Sequence, residues 1–90
     1  MKTFPFLLLT PRKEVFTEKI VSLRVPAIDG ELGILADHQP MLALLTEGVV
    51  KVVQEDKEHF FRIKPGVLEV SSEGGVLLLV DAAEPCQSPA

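Results

Sequence analysis

Ninety residues with a net charge of −4 form one domain at most, and a core this thin buries roughly 60–65% of the surface of the unfolded chain. Hydrophobic residues at 47% against 24% charged place the chain among folded globular proteins and exclude a disordered one. Binding to nucleic acid or to an anionic membrane surface draws on clustered cations. Arg12-Lys13 is the only adjacent basic pair, and with no Trp, no Tyr and five Phe the chain has few platforms for stacking bases.

Along the chain, short apolar runs alternate with turn signals. The first run, Phe4–Thr10, is closed by Pro11 and the charged Arg12-Lys13-Glu14. Behind Lys2 it has the outline of a secretory signal. Its apolar part, Phe4–Leu9, is shorter than the usual ~7–15 residues, and no small-residue cleavage site follows. No segment approaches the roughly 20 apolar residues of a membrane span, so the expectation is a soluble, unprocessed chain without direct lipid insertion. Val15-Phe16 is a brief second run.

Val21, Leu23 and Val25 alternate with Ser22 and Arg24, the period of two that marks a half-buried strand. Pro26 is expected to end it and Asp29-Gly30 to turn the chain. Leu32 and Ile34 alternate around Gly33. Pro40–Thr46, with Met41, Leu42, Leu44 and Leu45, fits either a strand or a short turn of helix. Val49–Val53 is β-branched and strand-like. Gln54–His59 has the composition of a hairpin tip, Phe60–Ile63 returns, and Lys64-Pro65-Gly66 turns. Val67–Ser71 leads into a Glu73-Gly74-Gly75 turn, where glycine accepts positive φ, and Val76–Ala82 is the last strand. The domain is expected to span residues 1–84, with 85–90 a short flexible tail.

Eight or nine strands at this spacing predict an all-β sandwich or barrel. Val49–Val53 and Val76–Val80 are apolar on both faces. One face fills the core, and the other is covered by the chain itself or open to a partner.

Chemistry is hard to place on this chain. His38 and His59 are the only histidines, no metal-ligand spacing joins them, and a metal site of the cupin kind takes three or four ligands. The serines lack a G-x-S-x-G elbow. Asp29 and Glu31 flank a turn glycine with no pocket implied, and no phosphate-binding glycine motif occurs. Cys86 is the single cysteine, so no internal disulfide forms. The reading expects no catalytic residue, no metal and no cofactor. It leaves three classes in play: an interaction subunit, a freestanding β-sandwich that binds a ligand or protein, and a small metal-dependent barrel using His38 and His59.

Gly30-Glu31-Leu32-Gly33-Ile34, three residues, then His38-x-Pro40-x-Leu42 and Gly48-Val49-Val50-Lys51-Val52 together resemble the epsilon subunit of F-type ATP synthases, called delta in mitochondria. The likeness continues through Pro65-Gly66-Val67-Leu68-Glu69-Val70 and Val80-Asp81-Ala82-Ala83-Glu84, and covers nearly all of residues 3–84. It implies a flattened sandwich of about ten short strands at the foot of the central stalk. It also implies a mechanical, non-catalytic role, holding the gamma subunit to the membrane ring of c-subunits so that ion-driven rotation reaches catalytic sites elsewhere.

By the same resemblance Asp29, Gly30 and Glu31 would meet the c-ring, and His38, Met41, Leu42 and Ala43 the gamma subunit. Met41 and Leu42 also read as core, Leu42 above all. Gly33 and Gly48 would serve backbone geometry. Ala36-Asp37 and Gln39 depart from the family's usual glycine or asparagine before the histidine and alanine after it. Family members often continue into two C-terminal helices that regulate the enzyme and in some cases bind ATP. Pro85 and Pro89 cannot build such helices, so no helix-mediated inhibition and no nucleotide on this chain are expected. The expected location is the cytoplasmic face of a bacterial inner membrane rather than an organelle.

Overall fold

The computed structural model describes residues 1–87 and contains ten strands: β1 (Phe4–Leu9), β2 (Glu14–Ile20), β3 (Ser22–Ala27), β4 (Gly30–Leu35), β5 (Met41–Leu45), β6 (Gly48–Val53), β7 (Glu58–Ile63), β8 (Gly66–Val70), β9 (Val76–Val80) and β10 (Ala83–Cys86). Hydrogen bonding runs β10-β7-β6-β3-β5-β8-β9-β1-β2, with β4 on the other edge of β3. All pairs are antiparallel except β1 with β9. The link between β3 and β5 is a single pair, Ala27 with Leu45. At that corner the ladder folds over, giving two layers of five strands: β4-β3-β6-β7-β10 and β5-β8-β9-β1-β2.

Strand alternation sorts the side chains. Phe4, Phe6 and Leu8 on β1, Leu23 and Val25 on β3, Val50 and Val52 on β6, Leu68 and Val70 on β8, and Val76, Leu78 and Val80 on β9 all point inward and are buried. No polar or charged side chain among the described residues is buried with them, so the core spends nothing on desolvating polar atoms. The principal extents are 28 × 28 × 26 Å, which makes the two layers a block rather than a thin plate.

The open side, between β2 and β7, is closed by side chains. Phe16 on β2 lies 5.0 Å from the His59 ring and 5.6 Å, edge-on, from Phe61, both on β7. Above them Gln54 donates to Glu18 Oε1 at 2.7 Å and to the Lys19 carbonyl at 3.1 Å. Both acceptors take only hydrogens, so Gln54 turns its carbonyl to His59, and the 2.8 Å contact makes Nε2–H the donor.

Several local expectations change. His59, expected in the hairpin tip, lies on β7 instead: Gln54 N donates to Lys57 O, the turn closes there, and β7 has begun by Glu58. Pro26 lies inside β3 opposite Glu31 rather than ending it. Pro40–Thr46 resolves as a strand, Met41–Leu45. The boundary expected at 84 falls within β10, where Pro85 and Cys86 pair with Phe61 and Phe60; the family resemblance, ending at the same place, carried no signal for that pairing. Ser88–Ala90 of the expected tail lie outside the described residues.

Gly66, read as part of a turn, begins β8 opposite Val80. A Cβ there would lie 2.1 Å from the Leu79 carbonyl oxygen. Only glycine lets these backbones approach so closely.

Candidate docking surface

The hairpin joining β3 to β4 has a two-residue tip, Ile28-Asp29, closed by the Ala27–Gly30 pair. Gly30 stands at φ 120°, a conformation that L side chains resist. The tip leans on β5 through a bond from Ile28 N to Leu44 O. Asp29, Gly30 and Glu31 are exposed. Glu31 Oε1 accepts from the Arg24 guanidinium at 3.2 Å, and with both side chains more than half exposed the pair adds little stability.

The residues expected at the ring and those expected at gamma meet more closely than their separation in sequence suggests. Asp29, Gly30 and Glu31 line one cleft with Met41, Leu42 and Ala43, about 320 Å³ in volume. His38 stands apart from it, in the loop between β4 and β5. Its backbone N–H donates to Leu35 O. Its Nδ1–H donates to the Gln39 carbonyl at 2.8 Å, which leaves Nε2 as the free acceptor of the neutral ring. Asp37 before it adopts φ 66° and pairs with Lys2. The Asp37 carboxylate raises the Lys2 pKa by hydrogen bond and charge. That contribution holds at neutral pH and fades as pH rises through the lysine range, and at so exposed a pair it is small.

Met41 and Ala43 turn inward and pack against the core. Leu42, given as a gamma contact but also read as core, is not core: it is 74% exposed, and Leu44 beside it is 57% exposed. The apolar run hid the parity of the strand. Pairing of Leu45 with Ala27 sets Leu45 inward, so Leu42 and Leu44, flanking inward Ala43, face out.

Register then assembles a surface of which the site reading included only Leu42. Leu44 pairs with Val67, Val67 with Leu79 and Leu79 with Leu9. One step along, Leu42 pairs with Glu69, Glu69 with Leu77 and Leu77 with Leu7. One fully aliphatic row, and a second broken only by Glu69, thus cross the outer face of β5, β8, β9 and β1, and Leu79 is itself 43% exposed. A groove of about 380 Å³ continues them past Pro5 and Leu7 to Thr17 on β2. The clue in the sequence was the apolar character of Val76–Val80 on both parities. The outer face of the other layer differs: it carries Glu31, Arg24, Lys51, Glu58, Arg62 and Glu84, with Arg24 paired to Glu31 and Lys51 to Glu58.

A mainly aliphatic sheet face on which Leu42, Leu44 and Leu79 are exposed is the kind of surface that interaction sites use. The fold and this face define a β-sandwich interaction module. The family profile described as ATP synthase, Delta/Epsilon chain, beta-sandwich domain matches residues 3–86, and the chain belongs to that family. It is 35% identical over 83 residues to the ATP synthase epsilon chain of Rhodopseudomonas palustris, covering 92% of this chain and 61% of that one. It is 36% identical over 83 residues to the epsilon chain of Chlorobium limicola, covering 91% of this chain and 94% of the relative. Among solved structures, a chain of the Euglena gracilis mitochondrial ATP synthase, resolved as OSCP/F1/c-ring, superposes with a TM-score of 0.87 at 24% identity, covering 92% of this chain and 53% of that one; this is a likeness of fold. The chain spans about three fifths of the length of the Rhodopseudomonas relative.

Proposed function

We propose that this chain is a non-catalytic central-stalk subunit of an F-type ATP synthase, joining the gamma subunit to the c-ring and so supporting the coupling of ion translocation to ATP synthesis. The observation that carries the reading is the bare aliphatic face of β5, β8, β9 and β1, present on a member of the delta/epsilon family. Gamma docks on that face through Leu42, with His38 nearby in the β4–β5 loop, while Met41 and Ala43, turned inward against the core, hold β5 in place from beneath. The β3–β4 tip, with Asp29, Gly30 and Glu31, stands on the polar loops of the ring.

A rotor part transmits torque without changing shape. Two sheets packed on a dry core, closed at one side by backbone pairing and at the other by Phe16, His59 and Phe61, supply that stiffness. The subunit would act at the membrane surface as a peripheral component, on the cytoplasmic face of a bacterial inner membrane. It needs no nucleotide or cofactor of its own for this role.

Co-purification tests the proposal. The chain is expected to bring down gamma and the c-ring, and Glu31→Arg to weaken attachment to the ring while leaving gamma bound. A chain that binds neither, but gains thermal stability from a small molecule, is instead a freestanding ligand-binding module.

A further inference from the structure

Across β1, β5, β8 and β9, the strand residues include a single charged side chain, Glu69. It is exposed, its neighbours in register are Leu42 and Leu77, and it joins no ion pair among the described residues. An aliphatic face with one bare carboxylate in its middle is poorly matched to a purely apolar partner. Covering it would strip water from the charge and return nothing.

We propose that Glu69 is the charged key of the docking face, and that the surface seated there is aliphatic with one Lys or Arg side chain placed to pair with it. The inference rests on the reading of this face as the gamma-binding surface and adds the chemistry that the partner brings. Two other occupants fit less well. A second copy stacked face to face about a two-fold axis would bring two Glu69 carboxylates toward each other across an apolar contact. An anionic lipid surface would repel the one charge the face carries. A cation on gamma satisfies the carboxylate and fixes register, because only one placement of the two surfaces brings the charges together.

The test is the affinity of the full chain for purified gamma at low and high salt, for wild type, Leu79→Asp, Glu69→Gln and Glu69→Lys, each first shown by thermal melting to fold as wild type does. Glu69→Gln is expected to weaken binding tenfold or more, Glu69→Lys further, and both to flatten the salt dependence. Reversing the charge of the facing basic residue of gamma is expected to restore binding to Glu69→Lys. If Leu79→Asp abolishes binding while Glu69→Gln binds as wild type, the charged key is wrong and the docking face stands. If wild type does not bind gamma, both fall.

Discussion

Leu42 separates a core residue from a contact residue. The substitution Leu42→Ala removes a side chain that is 74% exposed in this structure. Exposed positions away from special features change stability by no more than about 0.5 kcal/mol, so the free chain should unfold at nearly the wild-type urea midpoint. Leu68→Ala, on the inward side of the next strand and 0% exposed, is the internal control. It should cost about 2–5 kcal/mol, and each kcal/mol lowers the melting temperature of a chain this size by roughly 4–8 °C. Binding should reverse the order of importance. Complete burial of a leucine is favourable by roughly 1.5–3 kcal/mol, and the exposed 74% leaves about 1.1–2.2 kcal/mol of that for a partner to realise. Leu42→Ala should therefore raise the Kd for gamma roughly six- to forty-fold. Urea denaturation and calorimetric titration measure the two quantities. A loss of about 2 kcal/mol or more in the stability of the free chain refutes the assignment of Leu42 to the outer face, and an unchanged Kd refutes the docking of gamma through it.

Gly66→Ala should lower stability by about 3 kcal/mol or more, at or beyond the usual overpacking range, because the new Cβ meets backbone and not a yielding side chain. Gly33→Ala, with open space around its Cβ position, should be neutral or stabilising by up to about 1 kcal/mol; equal melting temperatures for the two would overturn the close-approach argument. Asp37→Val places a β-branched residue at φ 66° and should destabilise by at least about 1–2 kcal/mol, read by thermal unfolding, whereas Asp37→Asn should be tolerated. Gln54→Glu sets a second carboxylate where the amide now donates to Glu18 and should cost about 1 kcal/mol or more at pH 7. The pair would hold a proton more tightly folded than unfolded, so the deficit relative to wild type should shrink as pH falls toward 4; a deficit independent of pH would sink the bridge.

Much of this molecule was legible in one dimension. Period-two alternation at Val21–Val25 and the β-branched run Val49–Val53 announced strands, since a pleated chain facing a core on one side leaves that imprint. Glu73-Gly74-Gly75 and Asp29-Gly30 marked turns, and Gly74 and Gly30 do take positive φ, at 95° and 120°. The order of the G-E-L-G-I and H-x-P-x-L segments pointed to the delta/epsilon family, which the match over residues 3–86 shows.

What the sequence could not contain was parity and approach. Met41–Leu45 is apolar at every position, so nothing local says which side meets the core, and one pair at the β3–β5 corner decides it. Gly66 looks like any turn glycine until Leu79 and Val80 arrive beside it. His59 looks solvated among charged neighbours until Phe16 closes over it from the far end of the sheet. Composition and alternation are local and act within a few residues, so the chain alone determined a two-layer β fold and its turns. Which face stays bare is a property of strands brought together from residues 7 to 79, and only the folded sheet settles it.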